Sequence, residues 1–540
     1  MSALYKILSS FAAGLVFAAA AVSLSPWSRN FPLNDDWIYA LPVKNLLAGE
    51  GLRLFDVFHT QVFQVAWGWL WTALFGFSFG ALRMSTLFFA AAAVWLFARL
   101  LLKFEVSPRT AFLGAFCLAF NPLFFSLSMT FMTEVPYLFL VLLSVYWFPH
   151  NGEKKFPALW GASLSSAAAS LVRPTGILAP AGFSPEILFG REGKLRRLLI
   201  IWLPSAAALA GWWLWLNSSD ASLLAGSTAG VHSEAFNYWG DYLRFPLQTL
   251  RRLCSGIVLY GLFLMPFSAV FAFRPGFFRE FGKDRKALLI SAAVIILAGF
   301  HVLLEGRAPV PGDGNYVYRT GLGYVTIYGF ASKSAGLLGK SFFWPLVSAL
   351  SLFSAGILAA EFSRLKNLPV PVKTCLLVFA FQFGFVLVAP RFFDRYFIYA
   401  LPGLLLAAAM SARNFSFSVP SAFFAVLLAL FSWAGTADYL AWNGAKWEAA
   451  GRAPRYGIAA EDVAGGFDYD AWHNYEKRLA RLKSAGASHI REWEWADLSS
   501  KKAVVVFSPP PRLEESVLEK VEYKTPLSPF GGGAVYLLRL

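Results

Sequence analysis

Two neighbouring carboxylates, Asp35 and Asp36, follow the first membrane-length apolar run of the chain. Side-by-side carboxylates repel each other unless a ligand is bound or one of them takes up a proton. Such a pair can act as a general base, bind a metal ion or hold an acceptor substrate. Asn34 and Asp35 are also good N-cap residues, so a helix that begins near Trp37 is the structural alternative.

Two further charged residues lie at the ends of apolar segments. Moving an ionised side chain to the bilayer centre costs about 2.5–3.5 kcal/mol on insertion scales, so each such charge needs a reason. Glu134 precedes Pro136 at the start of an apolar stretch, where a helix dipole also favours a carboxylate. Arg173, before Pro174, interrupts an apolar run too long for one helix, and snorkelling to the membrane surface is its alternative role.

A third polar group lies in the connector that contains Arg391, Asp394, Arg395 and Tyr396. Two arginines in a connector on the outer face oppose the positive-inside trend and therefore need a local cause. A guanidinium matches the geometry of a phosphate, so an anionic ligand is one cause. An ion pair between Asp394 and either arginine, which would fix the turn, is the other.

The composition is that of a polytopic membrane protein: 57% of residues are hydrophobic, 17% aromatic and only 15% charged. The net charge of +15 does not indicate a nucleic-acid partner, because the basic residues cluster in short connectors between apolar runs. The three cysteines lie in or beside apolar runs, and neither they nor the six histidines have the spacing of a disulfide framework or a metal site.

We predict an all-α membrane module of about thirteen transmembrane helices, with the N-terminus inside. The predicted spans are 8–25, 81–102, 110–128, 134–149, 157–172, 175–190, 198–216, 253–273, 287–304, 342–362, 374–390, 396–412 and 418–436. Counting 61–79 as a span would place the basic connectors outside, so we predict an aromatic-rich helix in the outer interface there.

The composition becomes more polar after residue 437, which predicts two domains, 1–437 and 438–540. The second is expected to be a small extracytoplasmic α/β domain, with a helix over 469–484 and strands over 502–507 and 534–539. The predicted topology places the outer loop 26–80, Glu134, Arg173 and the 389–396 connector at one membrane face. Acids that activate a nucleophile and arginines that hold a phosphate suggest transfer from a phosphate-linked lipid donor.

Five short motifs, in this order, resemble the GT-C superfamily of polyprenyl-phosphate-sugar-dependent glycosyltransferases. Within it, the chain is most similar to family 39-like members, the branch of protein mannosyltransferases and the lipid A aminoarabinose transferase. The motifs are Asn-Asp-Asp-Trp-Ile-Tyr-Ala (34–40), Phe-Gly-Phe-Ser (75–78) leading to Leu-Arg (82–83), Met-Thr-Glu-Val-Pro-Tyr (132–137), Leu-Val-Arg-Pro-Thr-Gly (171–176), and Asp-Arg-Tyr (394–396) through Leu-Pro (401–402).

The resemblance covers roughly residues 1–415 and implies an active site at the outer membrane face. It assigns the catalytic acid to Asp36 or Asp35 and the second outer acid to Glu134. The Lys-Pro or His-Pro-Pro element of this branch corresponds to His59-Thr60-Gln61, which lacks the proline, so His59 would replace its phosphate ligand. The Trp-Trp-Asp motif of oligosaccharyltransferases is missing, because Leu214 follows Trp212-Trp213, which argues against transfer of a preassembled glycan.

The predicted reaction is sugar transfer from a polyprenyl-phosphate donor to a lipid, glycan or protein acceptor, with inversion at the anomeric carbon. Asp36 would accept the proton of the acceptor, and Arg173, Arg391 or Arg395, with Tyr396 nearby, would bind the leaving phosphate. A divalent cation between Asp35, Asp36 and Glu134 is an open alternative. The expected location is a bacterial-type plasma membrane, with the site facing the periplasm or exterior, and a transporter, flippase or glycan ligase is the competing interpretation.

Overall fold

The computed structural model of the chain describes residues 3–52, 60–150, 156–190, 193–218, 237–304, 316–318, 321–327, 336–413, 418–484, 500–527 and 533–540. Helices dominate these residues. In chain order they are α1 Ala3–Ser23, α2 Asp36–Leu47, α3 Val62–Phe75, α4 Phe79–Lys103, α5 Pro108–Ala119, α6 Pro122–Ser128, α7 Glu134–Trp147, α8 Phe156–Val172, α9 Leu178–Phe189, α10 Lys194–Ser218, α11 Arg244–Phe263, α12 Met265–Ala272, α13 Phe277–Lys283, α14 Arg285–Leu304, α15 Phe343–Ser363, α16 Val370–Val388, α17 Leu401–Ser411, α18 Val419–Gly451 and α19 Phe467–Ser484.

Each of the thirteen predicted spans coincides with a helix or with a bent pair of helices. Within the described ranges, seven helices are long and apolar enough to cross a membrane, or nine if each bent pair is one span. The bends are 62° between α5 and α6 and 68° between α11 and α12. At the first bend Pro122 begins the new helix, and the Asn121 side chain accepts hydrogen bonds from the first backbone N–H groups of α6. How many helices cross the membrane stays a prediction.

The outer loop contains two helices, α2 and α3, and α3 occupies the segment predicted to lie in the interface. One side of α3 is buried, including Gln64 and Gly68, whereas Leu74 and Phe75 are exposed. Trp67 of α3 packs its ring on Phe89 of α4 at 4.8 Å between centroids. The apolar side that α3 exposes fits the predicted place at the membrane surface.

The C-terminal region has a four-stranded sheet of order β3-β4-β6-β5, in which only β3 and β4 are parallel among the described strands. Its strands are β3 Val463–Ala464, β4 Ala503–Val506, β5 Val517–Tyr523 and β6 Gly533–Arg539, while β1 Val317–Tyr318 and β2 Gly321–Leu322 form a separate hairpin. The predicted helix and both predicted strands coincide with α19, β4 and β6. Helix α18 continues through the predicted boundary at 437/438, because its apolar residues pack first in the helical bundle and then on the sheet.

The C-terminal region contacts the acid-bearing loop through aromatic side chains. The Trp37 ring lies 5.3 Å from Tyr475 of α19, and Phe31 stacks on Trp447 of α18 at 5.9 Å. The Lys44 ammonium lies 5.5 Å from the ring centroid of Trp472. These contacts hold the loop that carries Asp35 and Asp36 between the membrane helices and the C-terminal helices.

A buried ion pair joins α18 and α19 beneath these rings. Lys446 and Asp468 are both fully buried, and the Lys446 Nζ donates to both carboxylate oxygens of Asp468 and, at 2.7 Å, to the hydroxyl of Thr326. The ammonium has its three donors used, as a buried charge requires. The pair therefore connects both C-terminal helices with the segment that contains Thr326.

We predict that Lys446→Met destabilises the protein by about 3–5 kcal/mol, because the Asp468 carboxylate would stay buried without its cation. The measurement is thermal unfolding of the purified protein in detergent. The matched control is the double variant Lys446→Met, Asp468→Leu, which removes both charges and should recover part of the lost stability. A single variant that melts like the wild type would contradict this role.

A second prediction concerns Asp470, which is buried in α19 and accepts a hydrogen bond from the backbone N–H of Gly465 at 3.0 Å. Burial raises the pKa of Asp470 from 3.8 to about 7. Between these values the folded protein holds a proton that the unfolded chain has lost, so stability falls as the pH rises toward 7. Asp470→Asn keeps the acceptor oxygen and removes the titration.

The melting temperature of Asp470→Asn should therefore exceed that of the wild type by several degrees well above pH 7, and the difference should shrink in acid. Melting curves of both proteins across this range test the expectation. An equal pH dependence in the two proteins would show that the Asp470 carboxyl does not titrate in this way.

Candidate active site

The two neighbouring aspartates are separated by the backbone that precedes them. Asn34 adopts a left-handed conformation (φ 50°), which asparagine tolerates better than most residues. Asp35 occupies the N-cap position of α2, but its side chain makes no capping hydrogen bond. Asp35 therefore does not have the helix-capping role that the sequence also allowed. Asp36 begins the helix. The side chain of Asp35 is 18% exposed and that of Asp36 is fully buried, so only Asp35 is open to an incoming molecule.

Asp36 connects three parts of the fold. Its Oδ1 accepts a hydrogen bond from the backbone N–H of Phe131 at 2.9 Å, and its Oδ2 accepts one from that of Leu33 at 3.2 Å. The guanidinium of Arg83 in α4 lies 3.8 Å away. Burial raises the pKa of Asp36 to about 7, against the lowering effect of Arg83 and both backbone donors. Asp36 therefore positions the loop, and this geometry assigns it no contact with substrate.

Arg83 is a positioning residue whose importance the sequence interpretation missed. It is fully buried and donates to the backbone carbonyls of Arg29 and Phe31. These bonds hold the chain that enters the acid-bearing loop against α4. A charged residue inside the apolar run 79–103 was the available signal, since such a charge needs partners.

Glu134 and Arg173 form a buried ion pair. Glu134 begins α7 and is fully buried, and its Oε1 accepts a hydrogen bond from the Arg173 guanidinium at 2.6 Å. The Nε of Arg173 donates to the Thr133 hydroxyl at 2.9 Å. Glu134 thus lies in the first turn of α7, where a helix dipole favours a carboxylate. It also pairs with an arginine from a different segment. Arg173 is only 5% exposed, which does not fit the snorkelling alternative.

Arg395 contacts both outer acids. Its NH2 group donates to Asp35 Oδ2 at 3.0 Å, and its Nε lies 3.0 Å from Glu134 Oε1. The guanidinium is 3% exposed. Asp35 and Glu134, almost a hundred residues apart in the sequence, therefore contact the same arginine, through its NH2 and Nε groups. The sequence interpretation required this proximity of the two acids, and the structure shows it.

Aromatic rings of the same connector cover both arginines. Tyr396 has its ring centroid 5.1 Å from the Arg173 guanidinium carbon and 5.8 Å from that of Arg395. Tyr399 lies 5.5 Å from Arg173, and Phe393 lies 4.5 Å from Arg395. Tyr396 is buried and its ring lies against both guanidinium groups, which it helps to orient.

Asp394 connects the turn with a neighbouring hairpin. Its carboxylate accepts hydrogen bonds from the backbone N–H groups of Tyr316 and Val317, the latter at 2.8 Å. The connector therefore fixes hairpin β1–β2 beside the acids, while its neighbour Arg395 turns toward them. Arg391 lies half-buried three residues after the end of α16 and belongs to the same connector.

His59 lies outside the described residues. The residues that follow it contact the chain next to Arg173. The Thr60 hydroxyl donates to the carbonyl of Ser170 at 2.7 Å, and the backbone N–H of Gln61 donates to the carbonyl of Val172 at 3.1 Å. The start of α3 is thereby held beside the acids and arginines.

The alternative of a divalent cation between Asp35, Asp36 and Glu134 stays a prediction. Among the described residues, no three His, Cys, Asp or Glu side chains are grouped so that they could hold a metal ion. Asp35 and Glu134 both contact the Arg395 guanidinium, which supplies the positive charge that a metal ion would supply.

An apolar groove begins next to the connector. It has a volume of about 310 Å³ and lies between α11, α14, α15, α16 and α17. Ala400, which directly follows the 3-10 turn Asp394–Tyr399, is in its wall, as is Tyr260, whose hydroxyl donates to the carbonyl of Phe397 at 2.8 Å. The groove continues along α17 to Ala407 and α15 to Phe362. Its walls are almost wholly apolar.

Comparison with known proteins gives structural matches only: no protein-family model and no curated protein matches the chain. ArnT from Cupriavidus metallidurans, solved with bound undecaprenyl phosphate, aligns with 97% of this chain and 97% of its own, at 12% identity and a TM-score of 0.41. The oligosaccharyltransferase AglB from Archaeoglobus fulgidus, solved with an inhibitory peptide and a dolichol-phosphate, aligns with 92% of this chain and 69% of its own, at 16% identity and a TM-score of 0.43.

With identities of 12% and 16% and TM-scores below 0.5, these alignments assign neither an activity, a donor nor an acceptor to this chain.

Proposed function

We propose that this protein is a membrane glycosyltransferase that moves a sugar from a polyprenyl-phosphate donor to an acceptor on the extracytoplasmic side. The observation that carries the proposal is the contact of Asp35 and Glu134 with the single guanidinium of Arg395. Three distant segments bring acids and arginines together at the ends of apolar helices. A general base and an anion-binding group are the two requirements for displacing a phosphate leaving group.

Asp35 is the proposed general base, in preference to Asp36. Its side chain is part-exposed and held by Arg395, so it can accept the proton of an acceptor hydroxyl or amine as the anomeric carbon is attacked. Asp36 has both oxygens engaged by backbone N–H groups and has no exposed surface. The polyprenyl phosphate leaves as an anion, and attack from the opposite face of the sugar gives inversion.

The positive charges of Arg173 and Arg395 are matched by the negative charges of Glu134 and Asp35, which they contact. These two arginines therefore mainly orient the acids. Arg391, on the same connector and half-buried, is the proposed ligand of the donor phosphate, and His59 is proposed as a second one. A phosphate matches the planar donor fork of an arginine.

The apolar groove is the proposed site of the donor's lipid tail. Its wall starts at Ala400, six residues after Asp394, so a phosphate held at the connector would have its isoprenoid units at the mouth of the groove. Its volume of about 310 Å³ accommodates only part of a long polyprenyl chain, and the remainder would extend into the bilayer. The proposed location of the protein is the plasma membrane, with the site toward the exterior.

The decisive experiment uses the purified protein with a radiolabelled polyprenyl-phosphate sugar and extracted cell-envelope acceptors. We expect labelled acceptor and an equal amount of free polyprenyl phosphate. Protein carrying Asp35→Asn is the matched negative control. Passage of labelled lipid across a vesicle membrane without cleavage of the sugar–phosphate bond would contradict the proposal and support a transporter.

We also predict that turnover in this assay is unchanged by a chelator and by added divalent cations. The reason is that the Arg395 guanidinium already contacts both acids and supplies the positive charge that a bridging cation would supply. The measurement is the initial rate after dialysis against EDTA, with and without restored Mg²⁺, Mn²⁺ or Ca²⁺. A rate that disappears with the metal and returns with it would restore the cation alternative.

A further inference from the structure

A second cavity lies in the C-terminal sheet, away from the acids and arginines. It has a volume of about 320 Å³ and lies where β5 and β6 pair at Tyr523 and Gly533. Its walls include Phe507 and Ser508, which follow β4, and Lys520, Glu522, Tyr523 and Tyr536 from β5 and β6. Nothing in the proposed transfer reaction uses these side chains.

The aromatic part of this cavity is fixed by a glycine. A Cβ atom on Gly533 would lie 2.2 Å from the Tyr523 ring, so the glycine allows that ring to lie across the neighbouring strand. Burial raises the pKa of the Tyr523 phenol well above its usual value, so the hydroxyl stays a donor. Tyr536 is directly opposite Lys520 in the strand register. The cavity thus has rings beside its polar groups.

The charges in the cavity balance. The Lys520 Nζ and the Glu522 Oε1 are 2.6 Å apart on one face of β5, and both side chains are largely exposed. An exposed pair of this kind contributes little to stability, so its donors and acceptors can turn to a ligand at small cost. The Glu522 carboxylate repels an anionic ligand, and the Lys520 ammonium repels a cationic one. A neutral molecule with many hydroxyl groups can donate hydrogen bonds to Glu522 and accept them from Lys520.

We propose that this cavity binds a neutral pyranose unit of the acceptor, so that the acceptor is a glycan or carries one. A pyranose presents a face of C–H groups to an aromatic ring and hydroxyl groups to a carboxylate, an ammonium group and a serine hydroxyl. The volume of about 320 Å³ is near the lower limit for ligand cavities, which suits one or two sugar units. This assignment rests on the proposed function, since it names the class of acceptor.

The test is binding of the full-length protein in detergent to an array of neutral, acidic and amino-sugar oligosaccharides, followed by affinity measurement in solution. We expect neutral glycans to bind. Glu522→Ala and Lys520→Ala, both at exposed positions, should each weaken that binding at least ten-fold. The matched control is Lys502→Ala, which removes an exposed partner of Asp462 beside β3, at the edge of the sheet opposite β5, and should leave affinity unchanged.

The outcomes separate the two proposals. Absence of glycan binding, binding of charged sugars only, or equal affinity in the two cavity variants and the wild type would overturn the cavity assignment, even if sugar transfer is observed. Glycan binding that depends on Glu522 and Lys520 supports the cavity, and a simultaneous failure of the transfer assay would then count against the proposed function alone. For an active enzyme we expect the variants to raise the KM for acceptor and to leave kcat unchanged, because the cavity lies apart from the reacting atoms.

Discussion

Asp35→Asn is expected to lower the rate of sugar transfer roughly 10²–10⁴-fold, the usual contribution of a positioned general base. The amide has the same shape as the carboxylate and can still accept a hydrogen bond from Arg395, but it cannot take up the acceptor's proton. The fold should therefore persist. The measurement is release of free polyprenyl phosphate under single-turnover conditions, with donor binding measured separately to show that the substrate still enters.

Asp36→Asn is the informative comparison, because it changes the adjacent residue in the same way. The Asp36 carboxylate accepts two backbone N–H bonds and faces Arg83, so its loss should reduce stability and loosen the loop. We expect a lower melting temperature and a smaller rate loss than for Asp35→Asn. If Asp36→Asn eliminated transfer at unchanged stability while Asp35→Asn retained it, the assignment of the base would be reversed.

This comparison also shows the limit of the sequence argument. The sequence predicted that Asp35, Asp36, Glu134, Arg173 and Arg395 gather at one membrane face, because charges at span ends need partners there. It could not separate the two aspartates, and it favoured Asp36. Their opposite environments depend on the left-handed backbone at Asn34 and on the Phe131 N–H, which comes from a segment distant in the sequence. No local pattern contains that information.

For the fold, too, the sequence predicted the local features and missed the contacts between distant segments. Apolar runs predicted the helical segments well, because membrane-length helices depend mainly on local hydrophobicity. Strand β5 was not predicted, because apolar and polar residues alternate only in part along Val517-Leu518-Glu519-Lys520-Val521. The register of this strand with β6 also shifts between Val517 and Glu519. The contacts of Trp37 and Phe31 with the C-terminal helices were also missed, since aromatic pairing between distant segments leaves no periodic signal. The C-terminal region is therefore part of the support for the acid-bearing loop.

The second large effect is expected at Arg395. Replacing it with Met leaves Glu134 fully buried with Arg173 as its remaining arginine, and it leaves Asp35 without its guanidinium. Removing one partner of a buried pair typically costs about 3–5 kcal/mol. We expect a clear fall in melting temperature and loss of most transfer activity, because Asp35 would no longer be held toward the acceptor.

Arg395→Lys makes this prediction specific to the geometry. Lysine keeps the positive charge, but one ammonium group cannot reproduce the planar fork that touches Asp35 and Glu134 together. We expect Lys to recover most of the stability and little of the rate. In the residual activity of Arg395→Met, the rising limb of the pH–rate profile should move to higher pH, since a carboxylate that loses a neighbouring cation holds its proton more tightly.

A purely structural role for Arg395 would give another pattern, in which activity follows stability in both variants and the pH–rate profile stays where it is in the wild type. That result would remove the reason for placing Asp35 and Glu134 in one reaction centre. The shifted profile together with a stable, slow Lys variant would instead show that the bridging guanidinium sets the protonation of the base. The contact of one arginine with two distant acids would then be a catalytic requirement as well as a feature of the fold.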